Sequence, residues 1–227
     1  MKDSILGVAM ALLILAFWFS SLWVGLVHID VSWNNPWVYV MVLLMTHLYT
    51  GVFITAHDAM HGTVSPKFPK LNHSLGFIAT VLFAYNYYPK LYKCHHEHHK
   101  HPASDKDPDY HHSNRFWPWY ASFLKQYLSI YQFILMGITF EVLRLYFPLP
   151  NLILFWVIPS ILSTLQLFYF GTYRPHKNAP SNKHKASTLP TQHLWAFASC
   201  YFFGYHYEHH EYPYMPWWKL YQTKRKD

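Results

Sequence analysis

The stretch ILGVAMALLILAFWFSSLWVGLV, residues 5–27, runs for 23 positions without a charged side chain. At about 1.5 Å of rise per residue, a helix of that length exceeds the roughly 30 Å hydrocarbon core of a bilayer, so the segment is expected to span a membrane. It is long for the apolar part of a secretion signal, and no small-x-small cleavage site precedes the next apolar run. The whole chain agrees with this reading. Of its 227 residues 52% are hydrophobic and 20% aromatic, and only 13% are charged, where a soluble domain carries about 25%. Much of the surface is expected to face lipid.

After the turn HIDVSWNNP (28–36), a second uncharged run predicts a span from Trp37 to Ala56, with Pro36 placed to start the helix. Leu75 to Tyr88 is also uncharged, but its 14 residues are too few to cross, which predicts a re-entrant or interfacial piece. A third span is expected from Trp119 to Phe147, opened by Pro118, with Glu141 and Arg144 spaced to pair. FPLPN (147–151) makes a turn, and a fourth span follows from Leu152 to Tyr173, with a kink expected at Pro159. The chain then turns polar, then aromatic, and closes on the basic tail KRKD (224–227). The expected architecture is an all-α integral membrane protein of four transmembrane helices plus re-entrant or interfacial helices, forming one domain over residues 1–227.

Sixteen of the 18 Lys and Arg fall at Lys2, between His57 and Trp117, or after Thr172, and the turn at 28–36 has none. By the positive-inside rule both termini face the cytoplasm, in the inner (plasma) membrane of the cell. The net charge of +7 has no nucleic-acid recognition motif beside it, so no nucleic-acid partner is expected. Cys94 and Cys200 are too few for a thiolate metal site and form no CxxC.

Histidine is the abundant ligand, with 18 residues against 11 Asp and Glu together. In HDAMH, His57 and His61 stand i, i+4 at the cytoplasmic end of the second span. In HHEHH, His95, His98 and His99 are spaced i, i+3, i+4, and HYEHH repeats that spacing with His206, His209 and His210. On helices each set shares one face. A lone histidine is usually a hydrogen-bonded surface residue, but three such sets on one side of a membrane point to a histidine-rich cap holding two metal ions. The four-Glu, ExxH arrangement of a carboxylate-rich di-iron bundle is absent, and HEHHK has Lys100 where HExxH needs its second histidine. A histidine-ligated di-iron, oxygen-activating site fits best. His176 in GTYRPHK is favoured over His184 as a further ligand. Asp58, Glu97, Glu208, Asp105, Asp107 and Asp109 are candidates to orient ligand rings, Asp58 being the one assigned to the catalytic machinery. His96, His101, His111 and His112 read as supporting or surface residues. His47, in mid-span, is expected to hydrogen-bond a neighbouring helix.

The segments AHDAMHG, HHEHHKHPASDKDPDYH, FGTYRPHK and GYHYEHHEYPYMPWW resemble the membrane fatty acid desaturase and hydroxylase superfamily, and within it the β-carotene ketolases. The resemblance extends from Thr55 to Trp218. It implies a non-haem di-iron membrane enzyme that uses O2 and electrons from a reduced ferredoxin-type donor to oxidise C4 of a β-ionone ring. β-Carotene taken from the bilayer would give echinenone and then canthaxanthin, and hydroxylated rings would lead to astaxanthin. The implied ligands are His57, His61, His95, His98, His99, His206, His209 and His210, with His176 matched to the family's Tyr-x-x-His segment. Arg174 and Phe202 depart from the usual pattern, which bears on ring preference. The alternatives are a carotenoid 3-hydroxylase or fatty acid desaturase, which share the clusters. A membrane metal transporter would need more polar ligands at mid-membrane than His47 alone.

Overall fold

Asn35 accepts a hydrogen bond from the Trp37 N–H (3.1 Å) and Pro36 supplies the first helical φ, so the second apolar run begins as a capped helix. A computed structural model describes residues 1–190 and 192–224; Thr191 and residues 225–227 of the basic tail lie outside the described residues. Among the described residues all regular structure is helical. α1 (Lys2–Val27), α2 (Pro36–Met60) and α7 (Leu149–His176) are each long and apolar enough to cross a membrane. α2 is the hub and packs against α1, α3 (Pro69–Leu82) and α7. The outward faces of the bundle are apolar, with Phe17 and Phe19 on α1 and Leu43 on α2 more than half exposed, the pattern of a lipid-facing surface.

α3 and α4 (Tyr88–Lys100) form a helical hairpin beside the second half of α2. Gly76 lets α3 come close, since a Cβ there would stand 2.7 Å from that of Ala59. At the hairpin tip the Phe83 ring meets those of Phe53 (5.2 Å between centroids) and Tyr49 (6.2 Å). Those residues lie about 10–16 Å along α2 from Met60 at 1.5 Å per residue, so the hairpin goes partway in and returns. At the tip Asn86 donates from its amide N–H to the Thr80 carbonyl and from its side chain to that of Phe83, pairing these backbone groups within the hairpin.

The expected span from Trp119 to Phe147 is not one continuous helix. The chain forms α5 (Phe116–Tyr127) and α6 (Ile130–Arg144), bent by 84°. Leu128 is extended, and Ser129 caps α6, its hydroxyl facing the Gln132 backbone N–H (3.4 Å) and side-chain carbonyl (3.0 Å). Lys90 donates to the Gln126 carbonyl at the end of α5, where a cation complements the helix dipole. Glu141 and Arg144 do pair, at 2.8 Å.

The kink expected at Pro159 takes another form. α7 runs unbroken through a π-helical stretch at Ile153–Val157, which opens the turn before the proline, and a second π stretch follows at Tyr169–Tyr173. Asn151 ties the start of α7 to the end of α1 through the carbonyls of Gly25 and Ile29, both at 2.8 Å. At the opposite end the chain continues into α8 (His193–Cys200), α9 (His206–Glu211) and α10 (Trp217–Leu220). His47 stacks on Tyr201 (4.3 Å, 12°) and meets the edge of Phe197, so among the described residues aromatic contact takes the place of the expected hydrogen bond.

Candidate metal centre

The histidine sets come from the ends of α2, α4 and α7 and from α9, all on one side of the bundle. The structure brings them together as two quartets. His57, His61, His95 and His209 each offer a ring nitrogen within 4.8 Å of the other three, and so do His98, His176, His206 and His210. Nε2 atoms approach at 2.7 Å (His61 and His95), 3.1 Å (His57 and His209), 3.2 Å (His98 and His210) and 3.0 Å (His206 and His210). His99 lies between the quartets, its Nε2 2.9 Å from that of His209 and its ring stacked on His210 at 4.2 Å.

This donor set fits metal ions. Nitrogens bound to one metal at about 2.1 Å stand about 3.0–3.4 Å apart, near the spacings found. In each close Nε2 pair at most one ring can donate a proton to the other, and Nε2 of His176 is buried with no hydrogen-bond partner among the described residues. A cation among them satisfies several lone pairs at once. Burial pushes the imidazoles of His95, His99, His206, His209 and His210 well below the ordinary histidine range, and neighbouring rings push the same way. His61 falls to about 3, from burial and then from His96. Neutral imidazole is the form that binds metal. His98 differs: burial lowers it, but the charge and hydrogen bond of Asp107, helped by Asp109, outweigh burial and raise it.

The far side of each ring is held unequally. Asp107 takes His98 Nδ1–H on both oxygens (2.9 and 3.0 Å) and is itself fixed by the Ala103 and Asp109 N–H groups. Asp58 stands 3.4 Å from His57 Nδ1 and accepts the Trp217 N–H at 3.0 Å. His176 donates from Nδ1 to the Lys185 carbonyl (2.8 Å). Three of the other carboxylates considered do not orient ligands. Glu97 pairs with His101, Asp105 with exposed His112, and buried Glu208 accepts from Thr188. Asp109 accepts from the Tyr127 hydroxyl. His184 bonds Glu211 (2.5 Å) and stays outside both quartets. His96 bonds the Tyr92 carbonyl and stands beside His61 without joining a quartet, and His111 bonds the Ser113 N–H. Arg174 is exposed, and Phe202 packs among Phe197, Tyr205 and Trp217.

Beneath the quartets lies a cavity of about 110 Å³ whose wall includes His57 and His95 of one and His98 and His206 of the other. The remainder is largely apolar, with Phe53, Phe83, Leu91, Phe123, Leu124, Leu128 and Phe203. Through Phe83, Ala84, Leu124, Leu128, Gln132 and Thr164 it adjoins a second cavity of about 280 Å³ between the α5–α6 elbow and α7. That outer cavity reaches Phe133 and Ile161, both more than half exposed on the lipid-facing surface. Sequence reasoning missed this chamber because it missed the elbow. The signal was present in Ser129-x-x-Gln132, a capping-box pattern inside an apolar run.

A fatty acid desaturase family profile matches residues 32–147 and 133–227. The chain belongs to this family of membrane proteins. Within it the chain is 40% identical over 194 residues to a β-carotene ketolase of Haematococcus lacustris, covering 81% of this chain and 61% of that protein. It is 36% identical to the zeaxanthin 4-ketolase of Chlamydomonas reinhardtii (94% and 52% covered) and 36% identical to a β-carotene ketolase of Paracoccus sp. strain PC1 (80% and 76% covered). The chain thus spans about half to three-fifths of the length of its algal relatives. No solved structure matches it.

Proposed function

We propose that this protein is an oxygen-dependent β-carotene 4-ketolase, an oxidoreductase converting the C4 methylene of a β-ionone ring to a ketone. The observation that carries this reading is the apolar chamber, which touches two histidines of each quartet and continues toward lipid. A carotenoid dissolved in the bilayer can reach it ring first. The ketolase relatives support the substrate class. Zeaxanthin is the substrate named for one relative, so hydroxylated rings are a second candidate.

His57, His61, His95, His209 and His99 would hold one iron ion and His98, His176, His206 and His210 the other. Iron bound there supplies the activation of O2 and the removal of an allylic hydrogen. The protein's own part is positional. Asp107 and the Lys185 carbonyl keep protons on Nδ1 of His98 and His176, leaving Nε2 turned inward, and Asp58 does the same for His57. The aromatic and leucine lining excludes bulk water from the reacting carbon. Two successive hydroxylations of C4 give a geminal diol that loses water. In total CH2, two O2, four electrons and four protons become C=O and three H2O. A water-soluble carrier of the ferredoxin type is the proposed electron source.

The chain is further proposed to act as one domain with four crossings, the α5–α6 pair counting as one bent crossing. The histidine side, with both termini, would face the cytoplasm of the plasma membrane. Pigment analysis of a β-carotene-producing bacterium expressing the chain tests the function. Echinenone and canthaxanthin are expected with the native chain and not with His98→Ala. Zeaxanthin instead would make the protein a 3-hydroxylase, and unchanged β-carotene beside altered lipid unsaturation would make it a desaturase.

A further inference from the structure

The two quartets meet water differently. His98, His176, His206 and His210 are all buried, whereas His61 and His95 are partly exposed. His61 lies at the inner wall of a surface depression of about 300 Å³, whose other walls include His73, Tyr92, His96, Pro213 and Tyr214. The depression leads directly to the first quartet. The His96 ring stacks on Tyr92 at 4.2 Å and stands 5.9 Å from that of His61, whose Nε2 is 2.7 Å from His95 Nε2. Conjugated rings therefore run in near contact from the surface to the ligand cluster.

The charge around this depression has one prevailing sign. Lys93 and Lys100 stand three residues before and four after His96 on α4, and Lys70 stands three before His73 on α3, all exposed. At those spacings each lysine shares a flank with the ring it accompanies. Glu97, the nearby acid on α4, lies 3.8 Å from His101. Ketone formation consumes four electrons, which a one-electron carrier delivers in four encounters. A carrier that cannot enter the bilayer must come from the aqueous side and stop close to a metal ligand.

We propose that the depression over His61 is the docking site of an acidic, water-soluble one-electron carrier protein, with Tyr92, His96 and His61 as the path of the electron. The proposal rests on the ketolase reading. At each docking the carrier is oxidised by one electron and the metal centre reduced by one, and protons come from water. Electrostatic attraction of this kind acts mainly on encounter and is screened by salt.

The test uses the iron-loaded protein in phosphatidylcholine nanodiscs, with a plant-type [2Fe–2S] ferredoxin as probe. Binding is measured by surface plasmon resonance against salt concentration, beside β-carotene oxidation driven by ferredoxin or by dithionite. Lys93→Glu with Lys100→Glu is expected to weaken ferredoxin binding about tenfold and to raise its KM in step. Iron content and the dithionite-driven rate should stay unchanged. Lys106→Glu with Arg115→Glu, an equal charge change on the loop between α4 and α5, should alter binding less than about twofold. Equal effects from both pairs, or none from the first, would overturn the docking site. So would loss of phosphatidylglycerol vesicle binding in the first pair with ferredoxin binding intact, which would assign the surface to lipid headgroups. Ferredoxin bound at this surface to a protein that makes no ketone with either reductant would instead refute the ketolase reading alone.

Discussion

Asp107→Asn separates the two proposed metal sites. The native carboxylate accepts from three donors, His98 Nδ1–H, the Ala103 N–H at 2.8 Å and the Asp109 N–H at 2.9 Å, using both oxygens. Asparagine keeps the shape but offers one acceptor oxygen, so its NH2 must face one of the two backbone donors. A buried N–H left unpaired costs about 1–3 kcal/mol. If the amide oxygen stays with His98 and Asp109, the orphan is Ala103, whose φ of 48° this bond helps to hold. His98 also loses the carboxylate that makes its ring a stronger donor to metal, a change that typically weakens affinity about 10- to 100-fold. The loss should fall on the iron of His98, His176, His206 and His210, because Asp107 touches no residue of the other quartet. Asp58→Asn should act in mirror image, through His57.

The assay is iron per chain after dialysis against graded chelator, with circular dichroism to confirm folding. Asp107→Asn should release one iron at a chelator concentration about 10- to 100-fold lower than the native protein requires, while the second iron follows the native curve. A folded Asp107→Asn protein that kept both irons on the native curve, or lost both together, would refute this assignment.

His176→Ala should lose iron from the same site while His184→Ala retains it, since only His176 turns a free Nε2 inward; metal analysis decides. Thr164→Trp, which fills the junction of the chamber with the outer cavity, should cut ketone formation by about a hundredfold with iron content unchanged, and a normal rate would disprove lateral access. Gly171→Ala places a Cβ 2.2 Å from Phe203 Cε1 and should cost about 1–3 kcal/mol, read as a lower Tm. In the metal-free protein the buried histidines titrate below their unfolded values, so the unfolded state binds more protons as pH falls. Below about pH 6.5 stability should fall by about 1.4 kcal/mol per pH unit for each such histidine, opposed between about pH 6 and 4 by the buried carboxyl of Asp109, raised to about 6 by burial, while raised His98 acts only above that range; a Tm that rose as pH fell below about 6 would contradict it.

The features legible in the sequence were those written in a period or a composition. Uncharged runs announced α1, α2 and α7, and the i, i+3, i+4 spacing of histidines announced which rings share a helix face. The pairing of rings into quartets was not legible, because it joins His209 to α2 and His210 to α4 through tertiary contact alone. Nor could the sequence choose Asp107 over Asp105, two residues away and equally acidic. Only the folded loop turns one toward His98 and leaves the other exposed beside His112.

The elbow between α5 and α6 shows what hydropathy left open in the third span. An apolar run of that length is equally consistent with one straight crossing and with two helices that meet at an angle, since lipid on the outside makes the same demand of both. What separates them is a single polar device, Ser129 facing Gln132 across the first turn of α6, which offers the chain a capped restart in place of continued helix. Gln132 then donates to the Ala84 carbonyl at 3.1 Å and fixes the bend against the tip of the re-entrant hairpin. Both cavities lie along that bend, lined from α5 by Leu124 and from α6 by Gln132. Two lipid-facing helices thereby enclose a space beside the metal centre, with the polar groups of their junction turned onto Ser129, Gln132 and the Ala84 carbonyl.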